Sequence, residues 1–487
     1  MEPIVWKENG DQERKIDSWI ETHRTEFVND LRDLVSVPSV SEKAEGDFPF
    51  GAECKKVLDM ALQKAESYGF STENYDNYCG SCIMKGEGRG ELGMFSHLDV
   101  VPLGDGWEYP PLGCTEQDGF LIGRGVGDNK GPAMAALYAM RYLKEQGASL
   151  KHDVLLYFGC SEEKGMEDIE HFRKVRKAPD FSLVPDTNFP VCYGEKGILR
   201  ATATAQVEGN LISFQGGSVV NVIPATACAV IQEKDPERSA FICEKLNLYD
   251  GVKAALCENG VKLTAEGLSS HAAFPEGAVN AIHVLAEALA ESGVLTGSSQ
   301  AVVEGIAALT GSFHGETTGI PFEDEETGRL TCCGTVVRLE HGKVELSFDI
   351  RYPASFQGKQ VEEGLAAAAA GYGFALSEVN DSAPSFISPE SQEVKLLCSI
   401  ADHVLGKHYE PYTMGGGTYA RHLPNAVGFG PGIPDAVNPF PPGRGQGHQP
   451  DECISLKQLE QGMKAYILAL QALDDRIGKE EEESHYD

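Results

Sequence analysis

The chain has 487 residues, enough for two or more domains with sizeable cores. Its 41% apolar content is that of a globular protein, and no apolar run reaches transmembrane length. A net charge of −33 argues against nucleic acid as a partner, because phosphates need a basic face, but it says little about a small substrate.

The first residues carry no basic segment followed by an apolar stretch, so no signal peptide is expected. The 13 cysteines are odd in number and scattered, which fits reduced thiols in a cytoplasmic protein. Cys79-Gly-Ser-Cys82 is a lone C-x-x-C and reads as a turn between two strands rather than a redox pair. Adjacent Cys332 and Cys333 should face opposite sides of one strand.

Apolar residues at helical spacing predict helices over 12–36 and 51–68, the first ended by Val37-Pro-Ser. Two strands follow. Leu92–Phe95 then reads as a buried strand ending at His97-Leu-Asp99, and alternation puts His97 and Asp99 on the same side. Gly123-Arg-Gly-Val-Gly-Asp128 delivers a second carboxylate before a helix over 132–146. Asp153–Gly159 is a continuous apolar run suited to a central parallel strand, and it leads into Ser161-Glu-Glu-Lys-Gly165. Phe181–Asp186 is another strand ending on an acid.

Near Gly194-Glu-Lys-Gly197 the pattern changes to alternating strands, with helical stretches at 235–246, 278–290 and 358–371. From Ser388 the earlier character returns, with helices over 390–405 and 456–473, another starting at Gly415–Arg421, and an acidic, disordered tail over 479–487. The expected fold is α/β: a largely parallel sheet flanked by helices, with an inserted α+β lid domain. The boundaries are 1–195 for the first part of the outer domain, 196–386 for the insertion and 387–487 for its second part.

His97/Asp99, Asp128, Glu162/Glu163 and Asp186 all sit at or after carboxyl ends of predicted strands, the edge where open α/β sheets bind ligands. His448 lies in a glycine-rich loop before the last helix. Singly, these are an exposed turn, a helix cap or a loop histidine. Jointly, they form a donor set of imidazole and carboxylate that suits zinc, and also manganese or cobalt.

On these segments the chain resembles the co-catalytic zinc exopeptidases that include carnosinases, aminoacylase, succinyl-diaminopimelate desuccinylase and glutamate carboxypeptidase. The similar segments are Ser96–Pro102 with Gly106-Trp107, Gly123–Gly131, Ser161–Gly165, Gly267–Asn280 and Gly447–Glu452, in family order. The long middle domain is most similar to that of the PepV-type bacterial dipeptidases. The resemblance implies two divalent metal ions, with His97 and Asp186 on one, Glu163 and His448 on the other, and Asp128 bridging. It makes Asp99 the residue that orients His97, and Glu162 the general base for a water activated by both metals. It implies a cis peptide at Asp128-Asn129, an oxyanion contact from His271 and a substrate-carboxylate contact from Arg351, with Asn221 shaping the site. Gly415-Gly-Gly-Thr418 lacks the lysine and strand context of a phosphate cradle; Gly416, Gly417 and Thr418 instead let a peptide backbone approach.

The implied activity is a metallo-dipeptidase acting on small peptides with a free amino end. The alternatives are an amidohydrolase of N-acyl amino acids or N-succinyl-diaminopimelate, and a metal-binding relative without catalysis. Retention of Glu162 speaks against the last. The resemblance to the PepV type implies that the enlarged middle domain stands in for the partner subunit of some relatives, so a monomer is expected, with neither nucleic acid nor membrane as a partner.

Overall fold

The computed structural model of the chain describes residues 9–477, and the acidic tail predicted to be disordered lies outside them. Two units separate along the chain. The first is Met1–Tyr193, Ile387–Tyr412 and Gly417–Asp487; the second is Gly194–Phe386 and Thr413–Gly416.

In chain order the first unit begins with helices α1 (Gly10–Val35) and α2 (Ala52–Ser67). Strands β1 (Ser71–Tyr75), β2 (Cys79–Met84) and β3 (Glu91–His97) follow. Next come α3 (Lys130–Glu145), β4 (Asp153–Gly159), α4 (Glu167–Val175) and β5 (Phe181–Val184). The second unit supplies β6 (Gly197–Gln206), β7 (Leu211–Gly216), β8 (Thr226–Gln232), α5 (Pro236–Leu246), β9 (Val252–Cys257) and β10 (Gly260–Glu266). It continues with α6 (Ala281–Ser292), α7 (Ser299–Leu309), β11 (Thr331–Glu340), β12 (Lys343–Tyr352), α8 (Gly358–Ala370) and β13 (Ala375–Ser382). The chain closes on α9 (Gln392–Leu405), β14 (Ala426–Gly428) and α10 (Leu456–Asp474) in the first unit.

The first unit's sheet runs β1-β2-β4-β3-β5-β14. Its centre, β4-β3-β5-β14, is parallel, and β2 pairs antiparallel both with β4 and with β1. Both faces are covered, which is why the central strands read as unbroken apolar runs. In β4, Val154, Leu156 and Phe158 face a core shared with α1, α2, α3, α9 and α10. Leu155 and Tyr157 face the opposite core, with Ile169 and Phe172 of α4. Each such side chain taken out of water contributes roughly 1.5–3 kcal/mol.

The C-x-x-C does not form a turn. Cys79–Met84 is a fully buried strand paired to β4, because its small and apolar side chains fill both faces. The helix expected from Gly415 is reduced to a short 3-10 turn, Tyr419–His422, since Leu423 is extended ahead of Pro424.

The second unit is an antiparallel sheet ordered β9-β10-β8-β7-β11-β12-β6-β13. Here burial alternates: Leu199, Ala201, Ala203 and Ala205 of β6 point into a core shared with α5, α6, α7 and α8. Such alternation marks a sheet with helices on one face only. Cys332 joins this core, and Cys333 packs on the other side with Ile223 and Ala272.

Candidate metal centre

Because β3, β4 and β5 are parallel, their carboxyl ends share one edge. His97 ends β3, Glu162 and Glu163 follow β4 in a short 3-10 turn, and Asp186 follows β5. Asp128 sits on the loop just before α3, and His448 on the loop ahead of α10.

These side chains come together. His97 Nε2 lies 3.0 Å from Asp128 Oδ1 and 3.7 Å from Asp186 Oδ2. The other oxygen of Asp128, Oδ2, is 3.1 Å from His448 Nε2, which is 3.0 Å from Glu163 Oε1. Potential ligand atoms of His97, Glu162 and Asp186 lie within 4.8 Å of one another, as do those of His97, Asp128 and Glu163. Glu162 therefore sits as close to the donor set as the residues expected to be ligands.

Buried neighbours set this geometry. His97 Nδ1 faces the main-chain oxygen of Asp99 at 3.0 Å, with Asp99 Oδ1 at 3.4 Å, so Nε2 is the nitrogen turned to the carboxylates. The Asp99 carboxylate also accepts the amides of Glu162 (3.2 Å) and Glu163 (3.1 Å), a second task that the sequence does not reveal. The Asp128-Asn129 peptide is cis. Asn129 Nδ2 donates to Pro185 O (2.7 Å) and Asp186 Oδ1 (2.8 Å), tying the Asp128 loop to the end of β5. Glu452 Oε1 accepts the amides of Gly125, Gly127 and Asp128 at 3.0, 3.1 and 3.2 Å, and its Oε2 accepts from Arg124 Nη1 at 2.7 Å. Arg124, Asn129 and Glu452 lie inside the segments noted in the sequence, but nothing in sequence spacing says where their side chains point.

The charges describe a cluster short of positive partners. Burial raises Glu162 well above the usual carboxylate range; His97 opposes this, while Asp186, Glu163 and Asp128 add to it. Asp186 is pushed up to about 8 by burial, against His97 and with Asp128 and Glu163. Hydrogen bonds to Asp128 and Glu163 raise His448 to about 10. Burial disfavours charge on His97, yet its contacts with Asp128, Asp186 and Asp99 outweigh that and raise it well above its ordinary value. Four crowded carboxylates and two imidazoles, with no thiolate among them, fit hard or borderline divalent cations.

The second unit holds the other candidates. Val222 pairs with His271, and Asn221 Nδ2 is 3.4 Å from His271 Nε2. Ala273 N donates to His271 Nδ1 at 3.1 Å, which in a neutral ring leaves the proton on Nε2. Arg351 is buried: Nε and Nη2 donate to Asp349 (2.6 and 3.0 Å), and Nη1 to Gly415 O (2.9 Å). Three of its five N–H groups are thus engaged within the unit. A Cβ on Gly416 would meet only the Met414 side chain, at 3.8 Å. In the first unit, a Cβ on Gly417 would overlap the Arg421 guanidinium, and Thr418 Oγ1 caps the 3-10 turn by accepting Ala420 N at 3.1 Å.

The family model described as "Peptidase family M20/M25/M40" matches residues 93–472. The chain is 33% identical over 469 residues to "Putative dipeptidase YtjP" of Bacillus subtilis, covering 92% of this chain and 97% of that one. Among solved structures, human carnosine dipeptidase 1 shares the fold with a TM-score of 0.59 at 15% identity, over 95% of this chain and 98% of that one. The dipeptidase Dug1p of Saccharomyces cerevisiae does so at 0.58 and 14%, over the same shares. With the model spanning most of the chain, and a full-length relative at that identity, the protein belongs to peptidase family M20/M25/M40.

Proposed function

We propose that the protein is a metal-dependent dipeptidase that hydrolyses small peptides with a free amino end. The observation that carries this reading is the Asp128 carboxylate, whose two oxygens face two different histidines, His97 and His448, each with a further acid beside it. Asp128 would bridge the two cations. His97 and Asp186 would hold one cation, Glu163 and His448 the other. A bound pair of divalent cations, zinc, manganese or cobalt, supplies Lewis acidity toward a water and the scissile carbonyl.

The remaining chemistry belongs to the chain. Glu162, beside the donor set, takes the proton of the attacking water. Water oxygen adds to the carbonyl carbon, the C–N bond breaks, and Glu162 returns the proton to the departing amine. Asp99 orients His97. His271 Nε2–H is assigned to the developing oxyanion, and Arg351 to the terminal carboxylate of the substrate, which its planar fork can pair. Asn221 sits beside His271, and the Gly416-Gly417-Thr418 stretch offers backbone to the peptide. The dipeptidase name of the full-length relative supports the substrate class.

A substrate panel tests the reading. After chelation, with zinc, manganese or cobalt restored, free dipeptides should be cleaved, and amidated dipeptides, pentapeptides and N-acyl amino acids poorly. Turnover of N-acyl amino acids without dipeptide cleavage would overturn it.

A further inference from the structure

The turn that carries Glu162 and Glu163 is held in an unusual way. Four consecutive amides, from Cys160 to Glu163, all donate to buried carboxylates. Those of Cys160 and Ser161 go to Asp168 Oδ2, at 2.6 and 2.9 Å. Those of Glu162 and Glu163 go to the two oxygens of Asp99. Both acids are fully buried, and they come from different elements, Asp99 from the end of β3 and Asp168 from the first turn of α4. Asp99 is already tied to His97. Asp168 has no place in the chemistry so far.

The surroundings of Asp168 are built for it. The Tyr419 hydroxyl donates to the same oxygen, Oδ2, while Oδ1 accepts Ile169 N at 2.8 Å. Gly159, the last residue of β4, leaves the room: a Cβ there would overlap both the Tyr419 hydroxyl and Asp168 Oδ2. A strand end, a helix start and the 3-10 turn at Tyr419 thus meet on one carboxylate oxygen.

We propose that Asp168 is a positioning residue, which fixes the backbone of the Glu162–Glu163 turn so that one carboxylate reaches the cation and its neighbour reaches the water. The inference rests on the metal-dependent reading of that site. Two adjacent residues given different tasks must be splayed by the backbone between them. An amide array anchored at both ends does this without involving either glutamate side chain. An asparagine could not replace Asp168. Four donors surround its two oxygens, so a carboxamide NH2 would confront an N–H or O–H donor whichever way it lay.

The test measures cation affinity by chelator competition alongside steady-state kinetics on a dipeptide, in Asp168→Asn and Tyr419→Phe. In Asp168→Asn, affinity for at least one cation should fall about 10–100-fold. At saturating metal, kcat should fall by about 10–100-fold while KM moves less than about threefold, the mark of misplaced groups rather than lost binding. Tyr419→Phe removes one donor and leaves the carboxylate, so it should shift both quantities in the same direction by less. Should Asp168→Asn fail to fold, Tyr419→Phe decides. Wild-type cation affinity and kcat in the folded variant, even with a lowered melting temperature, would overturn the proposal. Affinity is read without hydrolysis. An enzyme inactive on dipeptides would therefore sink the substrate reading, while the cation measurement still judged Asp168.

Discussion

At the level of single residues, Glu162 is the sharpest test of the chemistry. Glu162→Gln keeps the size of the side chain but cannot accept a proton. Turnover at saturating metal should fall by at least about 10²-fold, with two cations still bound per chain. Metal analysis of the variant matters, because Glu162 lies within ligand range of His97 and Asp186. Loss of a cation would make it a ligand and move the base elsewhere. Much of this cluster could be anticipated from residue type and place, since His97, Glu162, Glu163 and Asp186 fall at strand ends that alternation and apolar runs locate. Asp168 and Glu452 could not. Each is an acid that accepts three main-chain amides beside one side-chain donor, and an amide leaves no trace in sequence. Arg351 read by itself as a strand residue, and only the resemblance gave it a substrate carboxylate; that its Nε and Nη2 would fold back onto Asp349 depends on rotamers that spacing does not fix.

Elements were the most legible level where the period was long. The helices over 10–35 and 456–474 fall where apolar residues recur at helical spacing, and β4 occupies the whole of its apolar run. Short elements were decided by neighbours instead. The buried strand at Cys79 exists because β4 and the cores on both faces receive it, which local composition does not announce. Helix α7 was missed, its run of small apolar residues reading equally as strand. The junction of α4 with the 3-10 turn at Tyr419 gives a prediction at this scale. Arg173, Arg176 and Lys177 from the end of α4, with Arg421 and His422 from the turn, line one cavity. Burial first, then the charges of Arg421 and Arg173, lower His422 from 6.5 to about 4. Between those values the unfolded chain holds a proton that the folded chain lacks, so stability should rise with pH from about 4 to 6.5 and be fully present above. Denaturant titrations across that window should show a shallower slope in His422→Gln. An unchanged slope would mean that other groups govern acid unfolding.

For the molecule as a whole, the two units have separate cores, and all the assigned metal ligands belong to the first. Chelation should therefore destabilise one unit and spare the other. With cation at 100 times its dissociation constant, the first unit gains about 2.7 kcal/mol per site, which corresponds to roughly 5–10 °C. Scanning calorimetry should show one transition moving when metal is removed and restored. Equal movement of all transitions would refute this independence, and none moving would refute the metal centre. The order of segments along the chain has a further consequence, for biosynthesis. The first unit's sheet needs β14 beside β5, and α10 packs on α3, yet the whole of Gly194–Phe386 is translated between these partners. On the ribosome the inserted segment is complete while the N-terminal strands still lack their last strand and covering helix. At roughly 5–20 residues per second, that interval is on the order of tens of seconds. Through it the face of α3 that α10 covers and the edge of β5 that β14 pairs stay open, an opening for a holding chaperone. His448 emerges later still, so the cation assigned to it can be captured only after the whole inserted segment has been made.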